Sequence, residues 1–300
     1  MTAKTVQQAP SQTALVAAFY RAMAHRDATV EGIGSDHLAC TFLSAAHRFL
    51  VRFGWIRRAI LRKSERVTPG IYQYLLARTA FFDERYARTL DDGTEQIVLL
   101  GAGYDTRPRR MPSPDGLKVI ELDIATTQER KRDCLRRAGL AEPAGLVFAP
   151  IDFNTQSIAT VLREAGYDAG RNTLFLWEGV TYYLTGDAVD DVLRLVTENT
   201  HPETTIAFDY AITLSDENID RIHGARTFAE TWRKHHEDEP IRFFIDQGAL
   251  PSFLGERGLD LVEHLDASEM ESAYSTGDAG APTGKVTGFF RLADARPTAK

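Results

Sequence analysis

Cysteine is nearly absent: Cys40 and Cys134 are the only two in 300 residues. Two thiols cannot make a disulfide scaffold, and a structural zinc site would need His or Asp/Glu beside them. The first ten residues, Met1 to Pro10, carry no apolar signal core, and no uninterrupted apolar run approaches the ~20 residues of a membrane span. Positive charge is not in excess either. Lys and Arg number 35 against 42 Asp and Glu, a net charge of −7, which argues against a surface built for nucleic acid or anionic lipid. No internal repeat is visible. The composition, 43% hydrophobic and 26% charged, is that of an ordinary globular protein. The length suits one domain with an insertion or lid. A soluble cytoplasmic protein, with no nucleic-acid and no membrane partner, is the expectation.

The chain divides by composition. Up to about Leu90 it reads as helical, over Ala14–His25, Asp36–Phe53, Trp55–Lys63 and Ile71–Leu90, with Pro69-Gly70 punctuating the last join. Its dense aromatics read mainly as the core of a small helical layer, a minority as lining for a flat apolar substrate. The basic cluster from Arg52 to Arg66 reads as a solvated helix face. From Glu95 onward, short apolar runs alternate with helical stretches. The strand candidates are Ile97–Leu100, Lys118–Leu122, Leu146–Ile151, Thr173–Trp177, Thr205–Phe208, Leu259–Glu263 and Thr287–Leu292. The first five are apolar nearly throughout, as strands covered on both faces of a parallel sheet should be. Val189, Val192, Leu193 and Val196 recur at helical spacing behind Thr185, a candidate N-cap. Strand–helix alternation specifies a doubly wound α/β sheet. A charged helical insertion is expected over Ser215–His236, a helix near Asp246–Arg257, and a loop over Ser275–Gly284.

The first strand ends in Gly101-Ala102-Gly103-Tyr104-Asp105. Glycines there let the backbone turn sharply and let a ligand approach where a Cβ would clash. Thr106 stands where the dinucleotide fingerprint needs its third glycine, which counts against NAD or FAD. The second strand ends in Glu121-Leu122-Asp123, about 20 residues beyond Gly101, the distance at which an acid meets ribose hydroxyls. A carboxylate there repels phosphate. A nucleoside without phosphate fits best, and S-adenosylmethionine (SAM) is the common one. Asp152 and Phe153 follow strand three, an acid and an aromatic suited to adenine; Asp152 reads equally well as a local cap before Asn154-Thr155. Glu178 closes strand four, facing the crevice beyond the carboxyl ends.

These motifs resemble the leucine carboxyl methyltransferase family: Leu100 to Arg107, then Glu121-Leu122-Asp123, then Trp177-Glu178-Gly179-Val180-Thr181-Tyr182-Tyr183-Leu184. The similarity reaches upstream to Ala77-Arg78-Thr79 and to Asp36-His37-Leu38-Ala39, where His37 replaces the proline of many members. The resemblance implies a Rossmann-like class I SAM methyltransferase sheet of seven strands, its last hairpin antiparallel. It implies a helical N-terminal cap over residues 1–92 and a core over 93–300 with an insertion near 211–240. By the same resemblance Arg78 binds the SAM carboxylate, and Gly101 and Gly103 pass under the methionine and ribose. Asp105 belongs to the same glycine block. Asp123, with Glu121 as a second candidate, takes the ribose, Asp152 and Phe153 hold adenine, and Glu178 lies near the amine and sulfonium. S-adenosylhomocysteine is then the product.

Methyl transfer from a sulfonium is one in-line displacement that needs no protonation of the leaving group. A carboxylate acceptor is already ionised; a phenol must lose its proton to something. Tyr183, Tyr104 and His37 are the foremost candidates for that duty, followed by His223, His235 and His236. His235-His236-Glu237 lacks the spacing of a metal motif, so no metal is expected. The leading expectation is O-methylation of a carboxyl or phenolic group on a small, polyketide-like molecule of secondary metabolism. Alternatives are a protein or peptide C-terminal carboxylate, an NAD-dependent oxidoreductase, and a non-catalytic binding module. Monomer and homodimer both stay open.

Overall fold

The computed structural model describes residues 10–30, 33–111, 113–198, 201–235, 240–274 and 284–299. The helical layer comes first: α1 (Gln12–Ala24), the short α2 (Ala45–Leu50), α3 (Gly54–Val67) and α4 (Ile71–Thr89). Strands and helices then alternate through β1 (Gln96–Leu100), α5 (Arg107–Arg110), β2 (Lys118–Asp123), α6 (Ala125–Arg137), β3 (Leu146–Pro150), α7 (Ile158–Glu164), β4 (Thr173–Trp177), α8 (Gly186–Glu198) and β5 (Thr205–Ala211). The chain continues through α9 (Ala225–His235), α10 (Leu250–Gly255), β6 (Leu259–Leu265), α11 (Ala267–Tyr274) and β7 (Phe290–Pro297).

The seven strands lie in the order β3-β2-β1-β4-β5-β7-β6. Pairing is parallel from β3 through β5, and β7 runs antiparallel to both of its neighbours. This is the expected α/β class. β1 and β4 are buried at every position, which is why they read as continuous apolar runs; β6, at the edge, is half exposed. The chain leaves β1 towards β2 in one direction and later returns to β4 on the other side. That reversal opens a crevice beyond the carboxyl ends of β1 and β4. α4 covers this region, and its Tyr74, Leu75, Phe81, Phe82 and Tyr86 join one hydrophobic cluster with the sheet.

Several boundaries differ from the sequence reading. Asp36–Phe53 is not one helix: a 3-10 turn at Ala39–Phe42 and α2 are separated where the Ser44 hydroxyl caps the His47 N–H. Among its described residues the insertion is helical only over α9, and the last strand begins at Phe290 rather than Thr287. α8 starts where expected, with the Thr185 hydroxyl accepting from the Ala188 N–H. Most of the expected Ser275–Gly284 loop lies outside the described residues. Among the described residues no helix is long and apolar enough to cross a membrane, and no group of three His, Cys, Asp or Glu side chains could hold a metal ion.

Candidate active site

The crevice contains a cavity of about 850 Å³, in the range of roughly 300–1,000 Å³ usual for ligand pockets. Its floor is the glycine turn after β1. Gly101 has φ +71°, and a Cβ there would lie 2.3 Å from Val180 Cγ2 in the turn after β4. Gly101 therefore lets the tips of β1 and β4 approach in a conformation other residues avoid. Two residues on, the Gly103 N–H donates to Asp123 Oδ2 at 2.5 Å, while Asp123 Oδ1 accepts the Ile124 N–H at 2.7 Å. One carboxylate thus joins the tip of β2 to the turn of β1.

A chain of buried charges forms the central wall. Arg78, on α4, places Nε 3.0 Å from Glu178 Oε1 and Nη1 3.3 Å from Asp209 Oδ2. Arg107, at the start of α5, reaches Glu178 Oε2 at 2.8 Å, Asp105 at 2.5 Å and Asp83 at 2.7 Å. Glu178 is held between two guanidinium groups. Burial pushes its pKa up, but Arg107 and Arg78 outweigh burial and hold it below the usual carboxylate value. Burial likewise raises Asp105, and Arg107 with Lys131 brings it down to about 2. Asp209, two residues before the end of β5, differs: burial raises its pKa and its partners only partly offset this. Those partners are Arg78, the Tyr74 hydroxyl at 2.6 Å and the Gly179 N–H at 2.6 Å. Tyr74 and Arg78 share a helix face one turn apart. Gly179 leaves the space they need, since a Cβ there would sit 3.0 Å from Arg78 Nη1.

The far wall is aromatic. Tyr183 lies edge-on to Tyr182 at 4.7 Å and parallel to Trp232 at 6.1 Å. Trp232 stacks on Phe228 at 5.2 Å, and Phe228 meets Phe290 at 5.4 Å. All five rings line the cavity. Trp232 and Phe228 come from α9, so the insertion supplies two of the five rings of this wall.

Of the residues singled out in the sequence, Arg78, Gly101, Gly103, Asp105, Asp123, Asp152, Phe153, Glu178, Tyr104 and Tyr183 line this one cavity. Asp152 also makes the local turn that its other reading required, accepting from the Asn154 N–H at 3.0 Å and the Thr155 hydroxyl at 2.9 Å. Glu121 and His37 do not belong to the lining, and both assignments are corrected. Glu121 pairs with Leu99 and Phe148 inside the sheet, fully buried, and accepts from Lys131 Nζ at 2.6 Å. His37 is exposed, its ring 6.0 Å from that of His25. Tyr104 stacks on Phe42 at 4.7 Å, and burial raises its hydroxyl pKa to about 12. It is protonated at neutral pH and cannot take a proton from an acceptor. His223 is exposed; His236 and the side chain of His235 lie outside the described residues. Arg107, Asp209, Tyr74 and Tyr182 carried no assignment from sequence. Asp209 directly follows the apolar run Ile206-Ala207-Phe208, the kind of signal that marked Glu178, although β5 continues two residues past it.

Residues 14–197 match the model of the leucine carboxyl methyltransferase family, more than half the chain. The chain belongs to this family. It is similar to a Mycolicibacterium paratuberculosis protein named "Putative S-adenosyl-L-methionine-dependent methyltransferase", 34% identical over 180 residues, covering 58% of this chain and 57% of that protein. A Mycobacteroides abscessus protein of the same name is 33% identical over 200 residues, covering 66% and 65%. The chain therefore spans a little over half the length of the first relative. Among solved structures, a DUF574 family protein from Streptomyces avermitilis superposes with a TM-score of 0.56 at 14% identity, over 98% of this chain and 100% of that one. The crystal structure of a methyltransferase, so named with the qualifier "putative", from Thermobifida fusca gives 0.58 at 15%, over 97% and 96%. Both share the fold.

Proposed function

We propose that this chain is a SAM-dependent methyltransferase that methylates an oxygen, carboxylate or phenol, of a small apolar acceptor. The observation that carries the reading is the convergence of four strand ends and Arg78 on one cavity. The lining chemistry suits the cofactor. At the tip of β2 an acid, Asp123, faces the glycine turn, where it accommodates hydroxyls and repels phosphate. Glu178, kept ionised by two arginines, puts negative charge where a cation gains most. When bound, SAM supplies an electrophilic methyl group on a positively charged sulfur.

Residue by residue, Asp123 holds the ribose hydroxyls, and Asp152 with Phe153 holds the adenine edge and face. Arg78 offers its guanidinium to the methionine carboxylate, supported from behind by Asp209. Glu178 takes the amine. Tyr182, Tyr183, Trp232, Phe228 and Phe290 exclude water and orient a flat acceptor against the methyl. Alignment of this kind is worth about 7–11 kcal/mol of barrier. A carboxylate needs nothing further. A phenol donates a hydrogen bond to the oxygen of Tyr183, a half-buried residue of the aromatic wall, and its proton leaves to solvent water as the O–methyl bond forms. Residues 1–92 act as the cap and 93–300 as the catalytic core.

Asp123→Ala tests the reading. Calorimetry is expected to show SAM binding weakened by about 1–3 kcal/mol, the usual loss for a charge-assisted hydrogen bond. Affinity equal to that of the parent chain would remove Asp123, and with it the nucleoside orientation, from the proposal.

A further inference from the structure

Among the described residues, the first helical layer leaves one face uncovered. No residue of α2 or α3 is buried. Among the described residues eight large hydrophobic side chains are exposed, and four of them fall between positions 49 and 55. Phe49 is 58% exposed, Leu50 36%, Phe53 38% and Trp55 67%. Phe49 and Phe53 meet edge-on at 5.0 Å, and Leu50 and Trp55 flank this exposed pair along the chain at the turn between the helices. Single exposed apolar residues need no explanation, but a contiguous cluster does.

The same segment concentrates positive charge. Seven Arg and Lys side chains stand between positions 48 and 66 against one acid, Glu65, in a chain whose net charge is −7. α3 turns Ile56, Ile60, Leu61 and Ser64 inward, and Tyr20 bonds to Ser64 at 2.6 Å. Trp55, Arg58, Arg62, Lys63 and Arg66 are all exposed. A Trp leads a stripe of cations, with phenylalanines beside it. This combination matches a bilayer interface, where aromatic rings enter the headgroup layer and cations meet anionic lipid.

We infer that the α2–α3 face docks on an anionic lipid surface. This departs from the sequence reading of Arg52–Arg66 as a solvated face and from the expectation, drawn from the net charge of −7, of no anionic-lipid or membrane partner, because the positive charge is local to 48–66; it requires no membrane-spanning segment. Charge complementarity selects the occupant. A symmetric contact with a second copy would set the same cations against each other. A nucleic acid would use the cations, but Leu50 and Phe53 offer it no hydrogen-bonding group. The placement also has a use. Thr68, just beyond α3, lines the cavity, and the Val67 carbonyl accepts from Thr231, next to Trp232 of the aromatic wall. A docked bilayer would border the route to that wall, and an apolar acceptor could pass from lipid into the cavity. This last step rests on the proposed function; the docking does not.

The test is co-sedimentation of the whole chain with vesicles of phosphatidylcholine alone and with about a third phosphatidylglycerol. Tryptophan emission is followed in parallel. Trp177 is fully buried and Trp232 half-buried, so Trp55 is the most exposed reporter. The expected result is binding to the anionic vesicles, a blue shift absent from Trp55→Phe, and release at high salt. Arg58→Glu/Arg62→Glu should lower partitioning at least ~25-fold, at about fivefold for each cation lost, with an unchanged thermal melt. The inference is overturned if anionic vesicles are not bound, or if binding ignores lipid charge. It is equally overturned if a DNA duplex binds more tightly than vesicles, or if the chain sediments as a dimer with Trp55 emission already shifted. SAM affinity, measured separately, bears on the methyltransferase reading alone.

Discussion

Replacing Arg78 with alanine is expected to cost about 3–5 kcal/mol of folding free energy, the range for removing one partner of a buried ion pair. Arg78 contacts both Glu178 and Asp209, and the Asp209 side chain is fully buried. Without the guanidinium, Glu178 retains Arg107, but Asp209 keeps only the Tyr74 hydroxyl and the Gly179 N–H. The loss has a predictable pH dependence. Asp209 already has a raised pKa, and loss of its cation raises it further. A carboxyl whose folded pKa exceeds its unfolded one destabilises most when pH is above both. The deficit relative to the parent chain should therefore shrink as pH falls from neutral into the acid range. Urea unfolding at several pH values measures this. The pairing of Arg78 with Asp209 is contradicted by a loss under about 1 kcal/mol, or by a deficit that does not change with pH. Arg78→Met combined with Asp209→Leu should recover much of the stability, because no buried charge is then left alone.

Gly101→Ala should be the second most damaging single change. Two terms contribute. A left-handed backbone costs a non-glycine residue about 1–2 kcal/mol, and φ at Gly101 is +71°. The new methyl would also meet Val180 Cγ2 at 2.3 Å, an overlap worth about 1–3 kcal/mol. Together they predict a loss of roughly 2–5 kcal/mol. Trimming the neighbour separates them: Gly101→Ala/Val180→Ala should regain the steric part and keep the backbone part. Parent-like stability of Gly101→Ala, in the same urea titration, would mean that the tips of β1 and β4 do not approach as described.

What could be read from sequence was whatever depends on short stretches. β1 to β4 were found within about a residue at most ends because each is an unbroken apolar run. α8 was found because its period and its Thr185 cap agree. The region 36–53 misled because its composition is helical while Ser44 breaks the chain locally. β7 was displaced because Val286, Phe289 and Phe290 are all buried, so burial alone did not mark where pairing begins. At the site, the strand-end rule brought Gly101, Asp123, Asp152 and Glu178 together. It failed for Glu121, which precedes the tip of β2 and is satisfied by Lys131 on α6. Arg107 lies at the end of the glycine block and Asp209 follows an apolar run, so each had a local signal, but nothing local showed what either would pair with. Arg78 and Asp209 are separated by 131 positions, and only the finished sheet order makes them neighbours.

Calorimetric titration of the chain with SAM, and with NAD as the competitor the fold could have served, addresses the cavity directly. One SAM site per chain, displaced by S-adenosylhomocysteine and indifferent to NAD, is the predicted outcome. No heat with SAM together with no shift in unfolding temperature, or saturable binding of NAD instead, would contradict it.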